Sequence, residues 1–90
     1  MTLTFTKVGN EWVAEFQAPS DFNLHIERED SGIILINQRG VPNGEYAFSF
    51  MRGLKEGKKV FDQDFGALIY PKYIQVISSS KVLKAEVTFA

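Results

Sequence analysis

Apolar and polar residues alternate with a period of two along most of this 90-residue chain. Leu3 and Phe5 alternate with threonines in residues 2–8, and the stretch from Trp12 to Ala18 repeats the pattern. A period of two is typical of a β-strand with one buried face, whereas a helix repeats about every 3.6 residues. The chain is therefore expected to fold mainly as β-sheet.

Short turn sequences separate the alternating segments. Gly9-Asn10 tolerates positive φ, so it predicts a tight hairpin between a strand over residues 2–8 and the strand that follows. The turn composition of residues 29–32, EDSG, lies between Phe22–Glu27 and the apolar run Ile33–Ile36. It predicts a second hairpin.

The second half of the chain continues the pattern after the loop sequence GVPNG at residues 40–44. Residues 51–59, MRGLKEGKK, contain two glycines and predict a loop or short turn rather than a helix. Further strands are predicted at Tyr46–Phe50, Val60–Asp64, Ala67–Tyr70, Tyr73–Ser78 and Val82–Phe89. Seven or eight short strands predict an all-β fold, a single antiparallel β-sandwich over residues 1–90, jelly-roll-like or Ig-like.

Composition excludes several classes of function. The chain has no cysteine, which rules out disulfides, thiolate metal sites and a cysteine nucleophile. Its formal net charge of -1 gives no long-range field that would attract a polyanion. Glu56 interrupts the local cluster of basic residues Arg52, Lys55, Lys58 and Lys59. No nucleic-acid partner is therefore expected.

The amino terminus, MTLTFTKV, lacks the basic region and apolar run of a signal peptide. The longest apolar run is Ile33–Ile36, far short of the roughly 20 residues of a membrane-spanning helix. We expect a protein that is cytoplasmic at synthesis and has no membrane partner.

Two short motifs resemble nucleotide-binding sequences by chance. Asp64-Phe65-Gly66 matches the magnesium-binding triplet of protein kinases, but the chain lacks the other kinase motifs and is too short for that fold. Residues 53–59, GLKEGKK, have three residues between the glycines where a phosphate loop has four. We expect Phe65 to point inward near a strand end, with Gly66 permitting a bend.

Asp62 and Asp64 alternate with Phe61, Gln63 and Phe65, so the two carboxylates share one strand face about 6.5 Å apart. Alternate oxygen ligands are typical of calcium loops, but the later positions do not fit an EF-hand, which requires Glu where Tyr73 stands. Solubilising carboxylates are the favoured interpretation. Asp62 and Asp64 are the candidate metal ligands, and no cofactor is expected.

His25 is the one histidine, on the strand face with Asn23 and Glu27. A histidine and a carboxylate two residues apart on a strand can approach each other. A hydrolase would also need a nucleophile such as Ser31, Ser49 or a serine of residues 78–80, and none lies in a nucleophile-elbow sequence. We predict no catalytic residue.

Aromatic residues offer a different kind of site. Tyr70 and Tyr73 flank Pro71-Lys72 and could stack on a sugar or anchor a protein partner, as could Trp12. Tyrosines that cover the end of the core are the favoured interpretation. The candidate binding residues are thus Trp12, Tyr70, Lys72 and Tyr73.

The stretches FNLHIERE at residues 22–29 and DFGALIYPKYIQVISSS at residues 64–80 resemble small all-β accessory proteins encoded among the virion structural genes of tailed phages and prophages. The resemblance implies a head-decoration, fibre or adaptor role and incorporation in a virion. It transfers no active-site residue.

We therefore predict a non-enzymatic structural or interaction module that self-associates or docks on another protein. Edge strands are the natural docking elements, and the terminal strands Leu3–Val8 and Leu83–Phe89 are the predicted edges. The alternative is a small carbohydrate-binding module that uses exposed aromatic residues.

Overall fold

The computed structural model describes residues 1–39, 48–56, 59–66 and 72–90, with the backbone alone for residues 39 and 48–56. The described residues form eight β-strands. In chain order the strands are β1 Thr6–Val8, β2 Glu11–Ala18, β3 Phe22–Arg28, β4 Gly32–Arg39, β5 Phe48–Glu56, β6 Val60–Phe65, β7 Lys72–Ser78 and β8 Val82–Phe89. In this described part of the chain, no helix is long and apolar enough to cross a membrane.

The strands form two antiparallel sheets. A five-stranded sheet has the order β1-β2-β7-β4-β5, and a three-stranded sheet has the order β6-β3-β8. Apolar side chains from both sheets form one buried core, to which Leu3 of the amino-terminal segment also belongs. Phe16 of β2 meets Phe22 of β3 edge to face, with ring centroids 5.2 Å apart, so the sheets pack face to face. This arrangement confirms the predicted β-sandwich.

The first predicted hairpin is confirmed. β1 pairs with β2 in antiparallel register, with Val8 opposite Glu11. Gly9 in the turn has φ of 62°, a conformation that glycine adopts without steric cost.

The second predicted hairpin is wrong, because β3 and β4 belong to different sheets. The turn between them instead contacts the turn between β7 and β8. Glu29 N donates to Lys81 O over 2.9 Å, and Asp30 N donates to Ser80 Oγ over 2.9 Å. Both turns therefore cross from one sheet to the other, side by side.

The loop or short turn predicted over residues 51–59 is wrong for residues 51–56, because β5 continues to Glu56 and pairs with β4; residues 57 and 58 lie outside the described residues. The register shifts where Ile34 pairs with Leu54 and Ile36 with Met51, so two residues of β5 lie opposite Leu35. Gly53 is one of them, and glycine is common at such a bulge. Long-range pairing at the edge of the sheet thus outweighs the local preference of glycine for loops.

The strand predicted over residues 2–8 is divided between the two sheets. Thr6–Val8 pairs with β2, whereas Thr2 bridges to Glu86 of β8. Leu3 N donates to Ala85 O over 3.0 Å, and Val87 N donates to Met1 O over 2.8 Å. β1 and β8 are both edge strands, as predicted, but residues 1–3 cover the outer edge of β8.

The other predicted strands agree with β2, β3, β6, β7 and β8 to within about two residues. Phe65 ends β6 and is buried, as expected of the residue before Gly66. The loop predicted at residues 40–44, Tyr46 and the strand predicted at Ala67–Tyr70 lie outside the described residues.

Candidate functional site

The outer face of the three-stranded sheet carries a network of polar side chains. Its central strand, β3, buries Phe22, Leu24 and Ile26 and turns the intervening residues outward. The pairing register places Asp64 of β6 opposite Asn23 and Asp62 opposite His25. Side chains distant in the sequence are therefore brought to neighbouring positions on one surface.

Asn23 joins the two aspartates. Its Nδ2 donates to Asp62 Oδ1 over 2.8 Å and to Asp64 Oδ1 over 2.9 Å. The amide group therefore uses both of its N–H donors across the β3–β6 pair.

His25 lies between two carboxylates. Its Nδ1 lies 2.7 Å from Asp62 Oδ2, and its Nε2 lies 2.9 Å from Glu27 Oε2. An ionised carboxylate only accepts hydrogen bonds, so both contacts are satisfied only when both ring nitrogens carry a proton. The geometry is thus that of an imidazolium. We call Asn23, His25, Glu27, Asp62 and Asp64 the histidine cluster.

The pKa values of the three linked groups shift in the directions that this geometry requires. Hydrogen bonds to Glu27 and then to Asp62 raise the pKa of His25 above 6.5. The hydrogen bond from His25 lowers the pKa of Glu27, and the hydrogen bonds from Asn23 and then His25 lower that of Asp62. The His25 imidazolium and its two carboxylate partners therefore stabilise each other's charged forms.

The other neighbour of β3 adds charges to the same face. In β8, Glu86 lies opposite His25 and Lys84 lies opposite Glu27. Lys84 also contributes to the lowered pKa of Glu27. His25 is therefore surrounded by more carboxylates than cations.

Asp62 and Asp64 share a face, as predicted, but they direct oxygens at the Asn23 amide nitrogen. Among the described residues there is no group of three or more His, Cys, Asp or Glu side chains that could hold a metal ion.

Of the serines considered as nucleophiles, Ser78, Ser79 and Ser80 make hydrogen bonds in turns. Ser78 and Ser80 are buried, and Ser78 Oγ donates to Ser80 O over 2.7 Å. Ser79 Oγ accepts a hydrogen bond from Ile33 N over 2.9 Å. Ser31 is exposed, and the side chain of Ser49 lies outside the described residues. While His25 is an imidazolium, both of its nitrogens donate to carboxylates, so neither can accept a proton from a serine.

Of the candidate aromatic residues, the two that the structure describes, Trp12 and Tyr73, do not form one platform. Trp12 pairs with Ser78, and Tyr73 pairs with Gln17, so the two aromatics lie about 17 Å apart along the sheet. Strand alternation also places them on opposite faces. Lys7 Nζ lies 5.3 Å from the centroid of the half-buried Trp12 ring. Tyr73 is 36% exposed beside the half-buried Lys72, and Tyr70 lies outside the described residues.

A feature that the sequence did not reveal is the outer edge of β6. Arg28 N donates to Lys59 O over 2.9 Å, so Arg28 and Lys59 form a hydrogen-bonded pair at the start of the β3–β6 ladder. In an antiparallel ladder the hydrogen-bonded pairs occur at every second residue. Phe61, Gln63 and Phe65 therefore pair with β3, while the N–H and C=O groups of Val60, Asp62 and Asp64 point away from it.

No strand in the described part of the chain pairs with this side of β6. We call the outward backbone groups of Val60, Asp62 and Asp64 the β6 edge. The opposite edge of the same sheet is occupied by Met1 and Leu3. Within the described residues, the sheet thus has one edge that the amino-terminal segment covers and one edge with no strand partner.

An open groove of about 330 Å³ continues from the end of the β6 edge. Asp64, Phe65 and Gly66 line one side, and Thr88 and Phe89 of β8 line the other. A strand paired with Asp64 would extend past this groove.

Comparisons with known proteins found no matching family model, no matching curated protein and no matching solved structure.

Proposed function

We propose that the protein is a non-catalytic interaction module that binds an extended segment of another protein along the β6 edge. The observation that carries the proposal is the outward direction of the backbone groups of Val60, Asp62 and Asp64, which have no strand partner among the described residues. A strand added to a sheet edge gains main-chain hydrogen bonds, and neighbouring side chains give it specificity.

The side chains of this edge favour a basic partner. In antiparallel pairing, residues of the added strand would lie directly opposite Asp62 and Asp64 on the outer face. Opposite charges in such positions stabilise the pair, and like charges destabilise it. We therefore expect Lys or Arg at two alternate positions of the bound segment.

The same charges oppose self-association through this edge. An antiparallel pair of two β6 strands would place Asp62 of one copy opposite Asp62 or Asp64 of the other. Charged residues on an edge strand are a common protection against such pairing. The edge is thus better suited to a different chain than to a second copy.

Two sets of contacts support a non-catalytic role. Both nitrogens of His25, beside the edge, are engaged by carboxylates, and the buried Ser78 hydroxyl, on β7 of the other sheet, donates to backbone. A decoration, fibre or adaptor role in a virion, which the resemblance to phage accessory proteins implies, would use docking of this kind.

The direct test uses a short capped peptide of alternating Lys and Thr as the probe, with binding measured by calorimetry. The matched control peptide has Glu in place of Lys. We expect binding of the Lys peptide alone, and we expect N-methylation of its central amides to abolish binding, because methylation removes the main-chain donors. Failure of the parent protein to bind the Lys peptide, or equal binding of the Glu peptide, would contradict the proposal.

Variants of the protein locate the site. Asp62→Asn and Asp64→Asn should each weaken binding of the Lys peptide. Glu86→Gln removes the same charge from β8, and it should leave the affinity for the peptide nearly unchanged. Val60→Pro removes an outward N–H that β3 does not use, so the fold should persist while binding falls. Circular dichroism of each variant checks the fold.

A further inference from the structure

His25 connects the edge strand of the three-stranded sheet to its central strand. Among the described residues β6 pairs with β3 alone, and the contact between His25 and Asp62 crosses this pair. The second contact of the ring, to Glu27, holds it along β3. The position of one imidazole ring is therefore linked to the attachment of β6.

We propose that His25 is a proton-dependent latch, which as an imidazolium holds β6 against β3 through Asp62 and which loosens β6 when it loses one proton.

The chemistry follows from the number of donors on the ring. A neutral imidazole has one N–H, and its other nitrogen presents a lone pair. That lone pair would face a carboxylate oxygen 2.7 Å away at Asp62 or 2.9 Å away at Glu27. The two acceptors repel each other, so the two contacts cannot both persist. Asn23 continues to bond Asp62, so β6 loosens without separating.

The charges around the ring favour the imidazolium. Asp62 and Asp64 face it from β6, Glu27 lies beside it on β3, and Glu86 lies opposite it on β8. Lys84 of β8 is opposite Glu27, and the amine of Met1 lies 3.9 Å from Glu86. On the inner face of β3, the neighbours Leu24 and Ile26 are apolar and buried. Carboxylates thus outnumber the cations that would repel a charged ring.

The direction of the pH response is fixed by the pKa of His25, which hydrogen bonding to Glu27 and Asp62 raises above 6.5. A group whose pKa is higher in the folded protein contributes its full stabilisation below the unfolded pKa and loses it as pH rises through the folded pKa. The latch therefore closes in acid and opens on the alkaline side of the folded pKa. Because β6 is the proposed docking edge, docking would also respond to pH. That consequence rests on the proposed function, whereas the latch itself is independent of it.

His25 is the single histidine of the chain, so nitrogen-15 NMR of the imidazole reports on it without ambiguity. We expect both ring nitrogens to be protonated below pH 6.5 and the titration midpoint to lie above that value. Asp62→Asn and Glu27→Gln should each lower the midpoint. Glu11→Gln, an exposed change on the other sheet, is the matched control and should leave the midpoint unchanged.

A second readout separates a latch from a merely structural histidine. The protection of the Phe61 and Gln63 amides against hydrogen exchange, corrected for intrinsic rates, should fall as pH passes the His25 midpoint, while that of Ile74 in β7 stays constant. In His25→Gln, the protection of the Phe61 and Gln63 amides should not fall over this pH range. A midpoint at or below 6.5, or β6 protection that is constant across the midpoint in the parent protein, would overturn the proposal. The parent protein alone decides both outcomes, so the test stands even if a variant fails to fold.

Discussion

His25 Nδ1 lies 2.7 Å from Asp62 Oδ2, and this contact joins the centre of the three-stranded sheet to its edge. The same ring contacts Glu27 within its own strand. The histidine cluster therefore links the attachment of one strand to the ionisation of three side chains.

The cluster should give the protein a window of maximal stability. Hydrogen bonds lower the pKa of Glu27 below 4.5 and that of Asp62 below 3.8, so their contribution is present above those values and is lost as pH falls through the folded pKa values. The contribution of His25 is present below 6.5 and is lost as pH rises through its folded pKa. Urea unfolding should therefore show the largest stability difference between the parent protein and His25→Gln from pH 4.5 to 6.5. A difference that grows above the His25 midpoint would contradict this account.

Phe22 should be among the most sensitive positions of the core. It is 3% exposed, stacks on Phe65 with centroids 5.0 Å apart and contacts Phe16 of the opposite sheet. Phe22→Ala removes contacts within and between sheets and should cost about 3–5 kcal/mol in denaturant unfolding. Phe89→Ala is the comparison, because Phe89 is partly exposed and its loss should cost less. Equal losses for the two variants would argue against a core centred on Phe22.

Gly9 should tolerate asparagine better than alanine. Apart from the two adjacent residues, no atom of the described part of the chain lies within 4 Å of the place where a Cβ would stand, so the cost of a side chain arises from the backbone φ of 62°. Gly9→Ala should lose about 1–2 kcal/mol of stability, and Gly9→Asn should lose less, because asparagine adopts this conformation more readily. Thermal unfolding of the two variants measures the difference. Similar losses in both would show that φ does not set the cost.

Removal of residues 1–3 should promote association through β8. Met1 and Leu3 occupy the outward groups of Ala85 and Val87, and their loss would leave an unpaired edge. Size-exclusion chromatography with light scattering should show a mass that rises with concentration. Leu3→Ala keeps the backbone bonds while removing a buried side chain, so it should lose stability without associating. A truncated protein that stays monomeric at all concentrations would contradict the expectation.

The sequence predicted which way side chains face more reliably than which strands are neighbours. Phe22, Leu24 and Ile26 are buried as alternation predicted, and His25 does approach Glu27 two residues along the strand. The contact between His25 and Asp62 spans 37 positions and depends on the register between β3 and β6. Alternation defines the faces of a strand but contains no information about its partner.

The same limit explains the incorrect hairpin between β3 and β4. A turn composition such as EDSG marks a reversal of the chain, yet it does not distinguish a hairpin from a crossing between sheets. Here the crossing is stabilised by Ser80 Oγ and Lys81 O, groups about 50 positions away. The β6 edge was missed for a related reason, since an edge is defined by the strand order of the whole sheet.

Amide hydrogen exchange along β6 tests the central claim, the availability of its outer edge, most directly. The account predicts an alternating pattern at a pH where the His25 latch is closed. Amides of Phe61, Gln63 and Phe65, which pair with β3, should exchange slowly, whereas amides of Val60, Asp62 and Asp64 should exchange fast. Slow exchange at Asp62 and Asp64 would show that the edge is already occupied and would contradict docking there.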